Sequence, residues 1–288
     1  LEVFNNLFMS IAEQMGVVLQ NTSYSVNIKE RLDFSCAIFA ADSSLVANAP
    51  HIPVHLGSMS ESVRTVAEQR RGTIVPGDVF MLNTPYNGGT HLPDVTVITP
   101  VFDNAGKDIL FYVAARGHHT DIGGITPGSV PPTSTHIDEE GVLIDNFQLV
   151  SGGRLLEKET EELFTTAPYP TRNFHHNLAD LKAHIAGNEK GVQELRKMVD
   201  HFGLDVVHAY MKHVQDNAEE CVRRVLTVLT DGSYEYEMDS GAKICVDIKV
   251  DQIKREATID FTGTAPQQNS NFNAPSSVCM AAVLYVFR

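Results

Sequence analysis

Basic residues are scarce in this chain of 288 residues. It has 22 lysines and arginines against 36 aspartates and glutamates, which gives a formal net charge of −14. Nucleic acids and anionic membranes bind proteins through clustered Lys and Arg. The basic stretch around Lys29 and Arg31 is short and contains an acid. The composition is that of an ordinary globular protein and argues against nucleic acid or a membrane surface as the main partner.

Cysteine and long apolar runs are also scarce. The four cysteines lie in apolar patterns without any C-x-x-C spacing, at Cys36, Cys221, Cys245 and Cys279. This is typical of buried free thiols in a reducing compartment, so we expect a cytoplasmic protein. The longest apolar run, 280–287, is far shorter than the ~20 residues that cross a membrane. The charged, amphipathic stretch 1–16 is unlike a signal peptide.

Common nucleotide and hydrolase motifs are missing. The chain has no G-x-x-x-x-G-K-[ST], no G-x-G-x-x-G and no G-x-S-x-G. These motifs mark phosphate-binding loops, dinucleotide folds and serine nucleophiles. We therefore expect no nucleotide site of these kinds and no serine-hydrolase chemistry on this chain.

The spacing of apolar residues predicts an α+β fold with mixed sheets. Strands are predicted at 33–40, 79–82, 95–102 and 109–115. Helices are predicted at 1–16, where Gly16 offers a stop, and at 58–69. After Arg172 two long helical patterns flank Gly203 and indicate an antiparallel helix pair. From Gly232 the period falls to two, which predicts a β-meander.

These patterns divide the chain into three regions. Residues 1–155 form a sheet-rich region, 156–230 a helical hairpin and 231–288 a meander that starts a further region. The chain begins inside a helical pattern without Met and ends on an apolar segment. We therefore expect a piece of a longer polypeptide.

Two polar clusters flank the apolar runs 95–102 and 109–115. The spacing H-x-x-D occurs at His91, His118 and His213, and a single match means little. His213 lies in a helical pattern, whereas the first two lie beside glycines at strand ends. An antiparallel hairpin brings His91, Asp94 and His118 together, and two imidazoles with one carboxylate suit Mn²⁺, Fe²⁺ or Zn²⁺. The alternative is a polar buried loop whose histidines bond to backbone carbonyls.

Three further clusters have both functional and structural interpretations. His51 and His55, separated by Pro53, either line a cleft or cap the next helix. Lys29 and Arg31 either bind an acidic substrate or form a solvated turn. For the histidines at 175 and 176, we interpret the neighbouring Asn177 as a helix cap.

Several stretches together resemble the hydantoinase B/oxoprolinase family. They are residues 25–35, 49–57, 89–94, 116–124 and 177–183. The runs 125–129 and 203–210 look most like the oxoprolinase branch, and 260–264 resembles a stretch near the family's middle. The resemblance covers essentially the whole chain.

The resemblance implies a hydrolase of cyclic amides that depends on ATP. In such systems a separate A subunit or a fused half binds ATP and phosphorylates the ring oxygen of a lactam or hydantoin. The B part then completes hydrolysis, of 5-oxo-L-proline to L-glutamate or of N-methylhydantoin. A hetero-oligomer with an A-type, ATP-binding partner is the assembly that this implies.

The resemblance also implies site residues. The related acetone carboxylase holds a metal through a His-x-x-Asp pair and a later His, which correspond to His91, Asp94 and His118 here. His119 and Asp121 are then candidates for the catalytic base or for orienting a ligand. The candidates for substrate binding are Lys29, Arg31, His51, His55 and Arg116.

Other classes of protein share these features. A carboxylase subunit would use the same metal site with bicarbonate. A non-haem iron enzyme would also use two histidines and a carboxylate, with O₂ and no ATP partner. A scaffold without metal would only shape the active site of its partner.

Overall fold

The computed structural model describes residues 1–128 and 130–287. In chain order the elements are α1 (Glu2–Thr22), α2 (Val26–Lys29), β1 (Phe34–Ala40), β2 (Leu45–Asn48), α3 (Pro53–Gln69), β3 (Val79–Leu82), β4 (Asp94–Phe102), β5 (Ile109–His118), β6 (Phe147–Ser151), β7 (Arg154–Leu155), α4 (Glu157–Thr165), α5 (Phe174–Phe202), α6 (Leu204–Leu226), β8 (Gly232–Glu237), β9 (Lys243–Asp251), β10 (Glu256–Asp260) and α7 (Ser276–Phe287). Within these ranges no helix is both long and apolar enough to cross a membrane.

A seven-stranded antiparallel sheet forms the centre of the molecule. Its order is β2-β1-β5-β4-β3-β6-β7, so the β4–β5 hairpin lies in the middle. Alternate residues of β1 and β5 enter different cores: Cys36 and Val113 pack towards α1 and α5, whereas Ala37 and Ala114 pack towards α3. This explains why β5 is almost wholly apolar, as predicted, because helices cover both faces of the sheet.

Helix α5 lies antiparallel to α1 along one face of the sheet. Phe4 lies beside Phe202, with their ring centroids 4.9 Å apart. At the other end, a Cβ on Gly187 would lie 3.4 Å from Leu19 Cβ, so the helices approach closely there. The two long helices α5 and α6 were predicted, and they meet at Gly203. The partnership between α1 and α5 was not predicted, because it joins segments that lie far apart in the sequence.

Residues 232–260 form the predicted meander, a separate sheet in the order β10-β9-β8. Its strands alternate apolar and polar side chains, and both faces are largely exposed. The division into regions at residues 155 and 230 stays a prediction.

Two helix boundaries differ from the prediction by several residues. Helix α1 runs past Gly16 to Thr22, so Gly16 is not a helix stop. Gly16 instead allows close packing, because a Cβ there would lie 2.9 Å from the rings of His51 and Phe34. Helix α3 begins at Pro53 rather than near Ser58. Proline fits the first position of a helix, where its missing N–H has no partner to lose. Ser129, the end of the run 125–129, lies outside the described residues.

Candidate metal centre

Asp94 and His118 are paired residues at one end of the β4–β5 hairpin. His91 lies three residues before Asp94, after a glycine-rich loop. One ligand atom from each of these three side chains lies within 4.8 Å of the other two. The structure thus brings together the three residues whose spacing predicted a metal site.

The contacts inside this trio have the spacing of ligands around a shared cation. His91 Nδ1 lies 3.1 Å from Asp94 Oδ2, and His118 Nδ1 lies 3.2 Å from Asp94 Oδ1. Both distances are short, but neither contact meets the angular criteria of a hydrogen bond. Donor atoms about 2.1 Å from one metal ion are roughly 3.0–3.4 Å apart, depending on coordination geometry. The donor set therefore fits a divalent metal.

Asp94 is the buried centre of the site, with 2% of its surface exposed. Its Oδ2 accepts hydrogen bonds from Thr90 Oγ1 at 2.7 Å and His55 Nε2 at 3.0 Å. Its Oδ1 is buried and has no hydrogen-bond partner among the described residues. Burial by itself raises the pKa of Asp94, but the neighbouring His55 and His91 outweigh it and hold that pKa well below the ordinary value. An anionic oxygen without a partner is a good metal donor.

Asp33 lies at the rim of the site. It directly precedes β1, and its Oδ2 lies 3.7 Å from His118 Nδ1. The backbone carbonyl of Asp33 accepts a hydrogen bond from the N–H of His118. Sequence reasoning did not assign Asp33 a role. Its position in the sequence could have indicated a role at the site. Because β1 pairs antiparallel with β5, the residue before β1 lies beside the end of β5.

The loop before His91 is held from both sides. A Cβ on Gly89 would lie 2.0 Å from the carbonyl oxygen of Asn83, so only glycine fits there. Arg116 is fully buried and donates to the Gly88 carbonyl at 3.0 Å, to Ser62 at 2.8 Å and to Thr96 at 2.7 Å, with Ser58 as a further partner. Burial lowers the pKa of Arg116 to about 10, so it remains a cation at neutral pH.

Arg116 was predicted to bind substrate, and the structure places it beneath the site. Its guanidinium group joins α3, β4 and the glycine-rich loop, with 0% of the residue exposed. The arrangement supports a role in holding the His91 loop.

The histidines predicted to line a cleft are both turned into the protein. His55 is 1% exposed, and its Nδ1 lies 3.0 Å from Ser35 Oγ. His51 accepts a hydrogen bond from the Cys36 N–H and packs against Phe34. Burial lowers the pKa of His51 to about 4. Of the two, only His55 contacts the metal trio, through Asp94.

Lys29 and Arg31 are exposed near Asp33 in the sequence. Within residues 1–128 and 130–287, neither side chain forms an ion pair or a hydrogen bond. Their predicted contact with substrate stays a prediction.

His119 lies on the opposite face of the sheet from His118. Successive residues of an extended chain point to opposite faces, so His118 meets Asp94 while His119 packs towards α5. Asn177 Nδ2 donates to His119 Nδ1 at 3.1 Å, and the His119 ring stacks on His184 at 5.7 Å. Burial lowers the pKa of both histidines to about 3. His119 is therefore neutral at physiological pH and a weak proton acceptor.

The Asp121 carboxylate forms an ion pair with Arg172. Its Oδ1 accepts from Arg172 Nη1 at 2.7 Å, and its Oδ2 accepts from the Arg172 N–H at 2.8 Å. These bonds tie the loop after β5 to the start of α5. The structure supports an anchoring role for this carboxylate.

The interpretation of Asn177 as a helix cap is wrong. Helix α5 begins at Phe174, and Asn177 lies inside its first turns, buried, with bonds to Thr171 and the Asp121 carbonyl. Other polar residues on this buried side of α5 were also missed, namely Asp180, His184 and Asn188. Their helical spacing among apolar residues was the available signal.

Comparison with known proteins places this site in context. Residues 1–288 match the family model described as hydantoinase B/oxoprolinase. The chain is 47% identical over 312 residues to 5-oxoprolinase 1 of Arabidopsis thaliana, covering 100% of this chain and 24% of that protein. It is 44% identical over 300 residues to the 5-oxoprolinase of Saccharomyces cerevisiae, covering 100% of this chain and 23% of that protein. The chain thus spans about a quarter of the length of these relatives.

Two solved structures are also similar. The ATP-dependent caprolactamase of Pseudomonas jessenii has a TM-score of 0.84 and 26% identity, with 98% of this chain and 49% of that chain covered. A nucleotide-free structure of acetone carboxylase has a TM-score of 0.86 and 14% identity, with 99% of this chain and 40% of that chain covered. At that identity the second likeness shows the fold alone.

Proposed function

Because the chain belongs to the hydantoinase B/oxoprolinase family, we propose that it carries the hydrolytic, metal-binding step of an ATP-dependent enzyme that opens cyclic amides. We propose 5-oxo-L-proline, opened to L-glutamate, as the substrate. The relatives named 5-oxoprolinase support this choice, since they match the whole chain at 44–47% identity. The structural likeness to a caprolactamase supports the wider class, because caprolactam is also a cyclic amide.

One observation carries the proposal: the buried Asp94 carboxylate lies 3.1–3.2 Å from one nitrogen of each of His91 and His118, and its Oδ1 has no hydrogen-bond partner among the described residues. His91, Asp94 and His118 would hold a divalent metal there, with Asp33 as a donor at the rim. When bound, such a metal supplies Lewis-acid chemistry and lowers the pKa of a coordinated water. Two histidines and one or two carboxylates suit Mn²⁺, Fe²⁺ or Zn²⁺.

Other residues of the chain have separate roles in this proposal. Asp94 keeps its negative charge because nearby histidines stabilise it, and the partly exposed His91 and Asp33 mark the side open to substrate. Lys29 and Arg31 are exposed and lie shortly before Asp33 in the sequence, and they would bind the substrate carboxylate. The neutral His119 acts from behind the sheet as support.

ATP chemistry is assigned to a partner or to another part of a longer polypeptide. The chain carries none of the nucleotide motifs sought in its sequence. Activation of the ring amide by phosphorylation would precede the step on this chain, because an unactivated lactam is a poor electrophile at neutral pH. The likeness to acetone carboxylase concerns the fold alone, so it does not favour carboxylation.

The proposal is tested with the chain together with its ATP-binding partner. His91→Ala should lower metal content, measured by elemental analysis, and abolish glutamate release from 5-oxoproline, while the ATPase of the partner persists. His213→Ala is the matched control, because it alters an exposed H-x-x-D pair on α6. Full turnover with unchanged metal in His91→Ala would refute the ligand assignment. Turnover of N-methylhydantoin but not of 5-oxoproline would refute the substrate.

A further inference from the structure

A line of hydrogen bonds runs from the backbone to the back of Asp94. We propose that His55 is a positioning residue that holds Asp94 through Oδ2 and leaves Oδ1 available to the metal. This inference rests on the proposed metal site. It assigns to the His51–His55 motif a task other than substrate binding.

Each contact in this line is short and buried. The Ile52 N–H donates to Ser35 Oγ at 3.2 Å, and Ser35 Oγ lies 3.0 Å from His55 Nδ1. His55 Nε2 lies 3.0 Å from Asp94 Oδ2. Ser35, His55 and Asp94 are 0%, 1% and 2% exposed. Water therefore does not compete for these groups, and each depends on the next for its hydrogen bond.

The direction of the bonds follows from the chemistry of each group. A carboxylate only accepts, so His55 Nε2 must carry the proton in the bond to Asp94. In the neutral ring Nδ1 is then an acceptor, and the Ser35 hydroxyl donates to it. Ser35 in turn accepts from the Ile52 N–H. All donors and acceptors in the line are matched without rearrangement.

The direction of these hydrogen bonds also argues against His55 as a metal ligand. Asp33, His55 and Asp94 form a second group with donor atoms within 4.8 Å of one another. However, Nε2 of His55 uses its proton towards Asp94, and Nδ1 is engaged by Ser35. Neither nitrogen has a free lone pair for a cation while these bonds are intact.

Thr90 completes the hold on Asp94 from the other side. Its hydroxyl donates to the same Oδ2 at 2.7 Å, so that oxygen accepts two hydrogen bonds, whereas Oδ1 accepts none from the residues that the structure describes. Groups of this kind fix the orientation of a ligand and raise metal affinity. The first turn of α3, which begins at Pro53, supplies His55.

The test measures metal binding on the full chain, with Mn²⁺ and Co²⁺ alone as probes. His55→Ala should weaken Mn²⁺ affinity by about 10–100-fold, the usual effect of losing a group that orients a ligand. At saturation its Co²⁺ absorption spectrum should keep the bands of the unaltered protein, because no ligand is lost. His55→Gln, whose amide can donate to Asp94, should recover much of the affinity. Ser35→Ala should weaken binding less than His55→Ala.

Three results would decide against the inference. Unchanged affinity in His55→Ala would show that the contact does not position Asp94, and a Co²⁺ spectrum lacking one nitrogen ligand would show direct ligation. Retained binding in His91→Ala would overturn the metal site itself, and the inference with it. Thermal unfolding of the metal-free variants checks folding. If His55→Ala does not fold, the metal affinities of His55→Gln and Ser35→Ala test the inference instead. A Ser35→Ala affinity equal to that of the unaltered protein would then count against it.

Discussion

Asp94 and His118 face each other across the final pair of the β4–β5 hairpin. Their relative position is set by backbone register, which hydrogen bonds along the whole hairpin maintain. His91 and Asp33 come from segments outside the strands and need other supports. In the candidate metal centre, Asp94 and His118 are therefore fixed by the hairpin and form its rigid half. The position of His91 depends on buried side chains such as Arg116, which holds the loop before it.

Replacing the central carboxylate tests the rigid half. Asp94→Asn keeps the shape of the side chain but removes its charge, so metal affinity should fall by on the order of 100-fold or more, beyond the effect of an orienting group. Asp216→Asn is the control, because Asp216 is exposed on α6 and pairs with the exposed Lys212. Titration calorimetry with Mn²⁺ measures both. Equal affinity of Asp94→Asn and the unaltered protein would contradict the assignment.

Arg116→Lys tests the buried anchor. A lysine lacks the planar fork that reaches Gly88, Ser62 and Thr96, so it leaves buried polar groups without partners. We expect the free energy of unfolding to fall by about 3 kcal/mol. Urea denaturation of the metal-free protein measures this, with Arg64→Lys on the exposed side of α3 as control. Unchanged stability combined with a raised KM would instead support the predicted contact with substrate.

Gly89→Ala tests how tightly the His91 loop is held. The added Cβ would overlap the Asn83 carbonyl, so the loop must shift and carry His91 away from Asp94. Metal affinity and thermal stability should both fall. Gly232→Ala adds the same methyl group where no atom lies within 4 Å, and it should leave both quantities unchanged. A Gly89→Ala protein with normal metal affinity would show that the loop tolerates displacement.

The stability of the metal-free protein should fall in acid. Burial lowers the pKa of His119 and His184 to about 3 in the folded state, whereas an unfolded histidine has a pKa of about 6.5. Between these values the unfolded chain binds more protons, so stability decreases as the pH falls. Each histidine contributes about 1 kcal/mol per pH unit in this window. Burial also raises the pKa of Asp180, which opposes part of the loss.

Urea denaturation between pH 7 and pH 5 checks this slope. His184→Met, which fills a similar volume without titrating, should make stability less dependent on pH. An unchanged slope in His184→Met would show that the buried ring does not carry the effect.

Much of the fold follows from local pattern. The strands at 79–82 and 109–115 and the two helices around Gly203 were predicted, because burial on one or both faces imposes a period that a single segment displays. Short edge strands such as Leu45–Asn48 were not predicted, since four residues carry too little periodicity.

The sequence by itself determined the convergence of Asp94 and His118, because a hairpin between two apolar strands places the two open strand ends side by side. That His91 joins them also depends on the tertiary contacts that hold its loop. Only the tertiary structure decided the tasks of Arg116, His55 and Asn177. Each of these side chains takes its hydrogen-bond partners from segments distant in the chain, and burial leaves it no alternative partner in water. Whether a polar residue faces the substrate or supports the site from within depends on those distant partners, and no local pattern encodes them.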